Sequence, residues 1–80
     1  MMNQEYQEFL KIAQSSPRLY KTVKEQENYA TRWYNMYLKL VDNDESRRQM
    51  FWIFLDDYID RGIGVVLGRF GRVLKGEIVW

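Results

Sequence analysis

Eighty residues suffice for one domain with a modest core, and 12 Lys and Arg stand against 11 Asp and Glu, a formal net charge of +1. Neither cysteine nor histidine occurs, which excludes disulfides, thiolate chemistry, Cys/His zinc sites and hydrolytic centres of the Ser-His-Asp or Cys-His type. Near-neutral charge argues against a general nucleic-acid binder.

The chain is rich in rings instead, with three Trp, six Tyr and four Phe. Each buried aromatic removes about 150–250 Å² from water, so such a chain either fills its own core or leaves part of that surface for a partner. The help is needed, because a core of this size yields roughly 3–5 kcal/mol of net stability.

From Asn3 to Gln14, Tyr6, Phe9, Leu10 and Ala13 fall on one helical stripe, with Glu5, Glu8 and Lys11 on the other side. Ser15-Ser16-Pro17 ends this helix. Serine is a favoured N-cap and proline a tolerated first helical residue, so Ser16-Pro17 is expected to start the second helix. That helix is expected to reach Val41, with Leu19, Tyr20, Val23, Ala30, Tyr34, Tyr37 and Val41 near a 3.5-residue repeat and Trp33, Met36 and Leu40 beside it. Gln26 to Asn28 is its weakest stretch, where a break or kink is expected. Asp42-Asn43-Asp44 supplies turn residues, one of which caps a third helix over Glu45 to Asp60.

Met50, Phe51, Phe54, Leu55 and Tyr58 give the third helix its inner face. The unbroken apolar run from Phe51 to Leu55 also fits a short buried strand, but the flanking helical spacing favours the helix. Gly62 suits a C-terminal cap. Residues 63–80 admit two forms. As a helix, Ile63, Val66, Leu67, Phe70 and Leu74 make one stripe, and Gly64, Gly68 and Gly71 make another that lets a neighbouring backbone approach. As a hairpin, Val65–Leu67, Arg72–Leu74 and Ile78–Trp80 become short strands. The helix is preferred. The expected fold is an all-α, three- to four-helix bundle forming a single domain over residues 1–80.

No catalytic, cofactor or metal site is expected. Asp56-Asp57-Tyr58-Ile59-Asp60 has the letters of the Asp-Asp-x-x-Asp sequence that binds magnesium diphosphate in prenyl synthases, but such chemistry needs a second acidic cluster and a large apolar cavity. A solvated helix end is the simpler explanation. Acid–base work by Glu45, Asp56 or Asp57 lacks any accompanying nucleophile or cofactor loop.

Charge is unevenly spread. Residues 61–80 form a basic, Gly-containing segment, with Arg61, Arg69, Arg72 and Lys75 against Glu77. Arg69, Arg72 and Lys75 lie at i, i+3 and i+6, a basic face for phosphates or an anionic membrane surface, or the wet side of a helix docked on the core. Arg18, Lys21 and Lys24 around Tyr20 form a second cluster, neutralised by Glu25 and Glu27. Tyr29, Trp33, Tyr37 and Trp52 are of the residue types enriched at binding hot spots, and core packing accounts for them equally well. A polar stretch from Asn3 to Glu8 has no signal-peptide character, and no apolar run approaches the ~18 residues of a membrane span, so a cytoplasmic location is expected.

Pro17-x-Leu19, Val23-Lys24 and Trp33-Tyr34-x-x-Tyr37-x-x-Leu40, closing on Asp42-x-Asp44, resemble the YlbD-like spore-coat protein family of endospore-forming bacteria. Phe9-Leu10-Lys11 is similar to that family's Phe-Val-Lys, allowing a three-residue insertion before Pro17. The family's Trp-Gln before the tyrosine is Ala30-Thr31 here, its first glycine is Gln26, and its second glycine is Val41. The resemblance implies a non-enzymatic, structural role. A protein partner or self-association is therefore the first expectation. A phage or mobile-element protein that inhibits a host protein is the second, and nucleic-acid or membrane-surface contact through residues 61–80 the third.

Overall fold

A computed structural model describes residues 3–80. The fold is all-α, with α1 over Gln4–Gln14, α2 over Val23–Val41, α3 over Glu45–Tyr58 and α4 over Ile63–Leu74; a short 3-10 turn, Ile59–Arg61, leads from α3 into α4. No strand occurs among the described residues, so residues 63–80 do not form the alternative hairpin. The chain divides into two compact units, Met1–Asn35 and Met36–Trp80.

In the first unit Asn3 caps α1. Its Oδ1 accepts the Tyr6 amide at 2.8 Å, and its Nδ2 donates to the Tyr34 hydroxyl. Phe9 and Ala13 are fully buried. The Tyr34 ring is nearly perpendicular to that of Tyr6, with centroids 6.1 Å apart, and lies 6.3 Å from Phe9.

The expected start of α2 at Ser16-Pro17 is displaced to Val23. One turn does form after Ser16, whose carbonyl accepts both the Leu19 and Tyr20 amides at 3.0 Å. It does not continue, because Thr22 starts the helix afresh. Thr22 Oγ1 accepts the Glu25 amide at 3.1 Å, the Glu25 carboxylate accepts the Lys21 amide at 3.4 Å, and Gln26 Nε2 donates to the Tyr20 carbonyl at 3.1 Å. A Thr-x-x-Glu capping arrangement thus competes with the Ser-Pro start and prevails. Leu19 and Val23 consequently leave the apolar stripe, each 69% exposed. From Val23 to Val41 the helix is continuous, so the break expected at Gln26 to Asn28 is absent.

In the second unit the Asp42-Asn43 turn uses left-handed backbone, φ +48° and +56°, which short polar side chains tolerate. Asp44 then caps α3, its Oδ1 accepting the Arg47 amide at 3.2 Å, and Arg47 Nη1 reaches back to the Leu40 carbonyl at 3.4 Å. α3 and α4 pack through a cluster of rings. Tyr37 lies 4.8 Å from Phe51; Phe70 lies 5.2 Å from Phe51 and 5.5 Å from Phe54. Val41, Leu55, Ile63, Val66 and Leu67 complete this core.

α3 gives way to the 3-10 turn at Ile59, short of the expected Asp60, and Gly62 (φ +97°, ψ 147°) turns the chain into α4. α4 stops at Leu74 because Gly76, at φ +77°, closes a Schellman motif: the Gly76 amide donates to the Val73 carbonyl at 3.0 Å and the Glu77 amide to the Arg72 carbonyl at 2.9 Å. The tail then returns to α3, where Trp80 packs 5.3 Å from Phe54 and its Nε1 donates to Asp57 at 3.1 Å.

Candidate interaction site

The last turns of α2 and the second half of α4 enclose a groove of about 290 Å³ within the second unit. Its floor is apolar, from Met36 and Leu40 on α2 and Leu67 on α4. One wall is nearly bare backbone, Gly68 and Gly71, and the rim carries Lys39, Arg72 and Lys75. The spacing explains the arrangement: Met36, Lys39 and Leu40 are i, i+3 and i+4, while Leu67 and Gly71 on α4 and Lys75 at its C-cap follow one another at four-residue steps.

Among the described residues, no acidic side chain lines the groove. All three rim cations are exposed, and none makes an ion pair among the described residues. The result is an apolar trough edged by free positive charge, which suits an apolar ligand surface carrying carboxylates.

The glycines divide by position. A Cβ at Gly71 would lie 3.3 Å from Leu40 Cδ2, so that residue's smallness permits the close approach of α4 to Leu40. At Gly64 and Gly68 a Cβ would meet nothing within 4 Å. The expectation that all three admit a neighbouring backbone is therefore corrected: two of them face open space, and Gly68 does so inside the groove.

Of the residues singled out from sequence, Arg72 and Lys75 come together at the groove. Arg69 does not. Its guanidinium lies over the Tyr58 ring at 4.9 Å, and its Nε is buried without a hydrogen-bond partner among the described residues. The expected continuous face of three cations is thus split by the turn of α4, which carries Arg69 toward α3. Trp33 and Tyr37 are 5% and 0% exposed, so of the two roles weighed for them they occupy the core one. Trp52 is half-buried and donates its indole N–H to the Tyr37 hydroxyl at 3.2 Å. Tyr29 is exposed. It stacks among Tyr20, at 4.6 Å, and Trp33, at 5.8 Å, with Arg32 over its ring at 5.6 Å beside a shallow depression lined by Asn28.

Sequence reasoning missed Lys39 and Gly68 as site residues and placed Met36, Leu40 and Leu67 in core stripes. The available signal was the Met36-x-x-Lys39-Leu40 pattern, an apolar pair flanking a cation on an otherwise wet helix face. Asp56, Asp57 and Asp60 are all exposed, and no three acidic groups among the described residues come together as a metal site. No helix among the described residues is long and apolar enough to cross a membrane. Compared with known protein families, characterised proteins and solved structures, the chain matches none.

Proposed function

We propose that the protein is non-enzymatic and works by binding another protein surface through the groove between α2 and α4. The observation that carries this is the pairing of an open apolar floor with three unpaired rim cations. In a small domain, such a surface exposes greasy area and isolated charge together, and burial against a complementary surface relieves both. The absence of cysteine and histidine removes the thiolate nucleophile and the most frequent general base, which supports a role by contact. The likeness of Pro17 to Asp44 to a spore-coat family points toward an assembly role as well.

Comparative capture tests the proposal. Gly68→Trp places a large side chain in the groove from a position where a Cβ meets no neighbour, so the fold should survive, with circular dichroism as the check. A protein held by the wild-type bait and lost from the Gly68→Trp bait is expected. Equal recovery on both baits, or recovery on neither, contradicts it.

A further inference from the structure

The second unit contains a surface that complements its own groove, and it lies on α3, no residue of which lines the groove. On α3, Ile53 and Asp56 stand at i and i+3 and so share one helical face, and Asp60 follows in the 3-10 turn that continues from the end of the helix. All three are exposed, Ile53 at 58%. The Asp56 and Asp60 carboxylates make no hydrogen bond or ion pair among the described residues, whereas neighbouring Asp57 is held by the Trp80 indole. The ridge is apolar at one end and acidic along the rest. The groove is apolar at its floor and basic at its rim.

We infer that the groove's occupant is the Ile53–Asp60 ridge of a second copy of this chain, bound head to tail. This rests on the groove being an interaction site and names its partner. Ile53 packs on Met36, Leu40 and Leu67, while Asp56 and Asp60 reach Lys39, Arg72 and Lys75. The rim is compact enough for this, since Arg72 and Lys75 are one turn apart, about 4.5 Å along the helix axis, and lysine and arginine side chains are long and flexible. Because groove and ridge are different patches, the contact is heterologous. It repeats from copy to copy and gives open chains or rings instead of a closed two-fold dimer.

Sedimentation velocity over a dilution series of the full chain tests this. The weight-average mass should rise with concentration beyond that of two chains, and the association should weaken with added salt. Arg72→Glu with Lys75→Glu in one variant, and Asp56→Lys with Asp60→Lys in another, should each lower the association constant by about tenfold or more. Mixing the two variants should restore assembly, because an acidic groove then meets a basic ridge; loss of fold could not produce that rescue. A wild-type chain that stays monomeric throughout, or association that neither charge reversal changes, overturns the inference. If the monomeric chain instead binds phosphatidylglycerol vesicles or a single-stranded oligonucleotide, the inference falls and the basic rim serves an anionic polymer or surface. A monomeric chain whose groove still captures a different protein overturns the self-association alone and leaves the proposed function standing.

Discussion

Replacing Gly68 with alanine is expected to make the protein more stable. The residue sits in mid-helix, where glycine costs about 0.5–1 kcal/mol relative to alanine through the extra freedom it loses on folding. An added methyl group usually risks a clash, but at Gly68 it would meet nothing within 4 Å, so the whole propensity gain should appear. In a domain of this size 1 kcal/mol moves Tm by roughly 4–8 °C, which gives an expected rise of about 2–8 °C. Gly62→Ala is the internal control. Its backbone, at φ +97° and ψ 147°, lies in a region open essentially to glycine alone, and the substitution should cost about 1–3 kcal/mol. Gly71→Ala should fall between the two, its helix gain offset by the 3.3 Å approach to Leu40. Thermal melts and urea titrations followed by far-ultraviolet circular dichroism measure all three. A Gly68→Ala protein less stable than wild type would refute the open geometry assigned to this wall of the groove. A more stable one would show that the bare backbone is kept at the expense of stability.

Asp44→Ala should cost about 1 kcal/mol, the usual loss for a helix cap, read as a lower urea midpoint with an unchanged slope. Thr22→Ala should cost a similar amount by the same measurement, whereas Ser16→Ala should cost less, because Ser16 contributes only its carbonyl to the turn that follows it. Phe70→Ala should be far more damaging, about 3–5 kcal/mol, since its ring touches both Phe51 and Phe54 and is fully buried; a loss below about 1 kcal/mol would contradict the packing described. Asp57→Ala removes the acceptor of the Trp80 indole, so in a variant whose other tryptophans are replaced by phenylalanine, Trp80 emission should shift to the red and be quenched more readily by acrylamide.

Where one physical signal dominated, the fold was legible in the sequence. The stripe of Tyr6, Phe9 and Ala13, a cap for α3 from within Asp42-Asn43-Asp44 and the inner face of Phe51, Phe54 and Leu55 each follow from side-chain period and cap chemistry and stand where expected, with Asp44 as the residue of the three that caps. The start of α2 was misplaced because two valid start signals lie six residues apart, and local rules do not rank Ser16-Pro17 above Thr22-x-x-Glu25. The residues 63–80 were ambiguous for a similar reason: glycine weakens helix and strand alike, and the stripe from Ile63 to Phe70 decides only when Phe51 and Phe54 are present to receive it.

The groove was the least legible part. Arg72 and Lys75 were visible as cations, yet nothing in a linear pattern says that Lys39, more than thirty residues earlier, shares their rim. Met36, Leu40 and Leu67 read as core residues because their spacing is the same whether a neighbouring helix covers them or leaves a trough. Gly68 carried no signal of its own, since an open glycine and a packed one are the same letter.

The most direct measurement of the central claim is site-specific photo-crosslinking in the cells that make the protein. A benzophenone side chain placed at Met36, on the groove floor, is expected to join the chain to another polypeptide, and the same group at exposed Val23, outside the groove, is expected to do so far less. Equal labelling from both positions, or none from Met36, would contradict a function exercised through the groove.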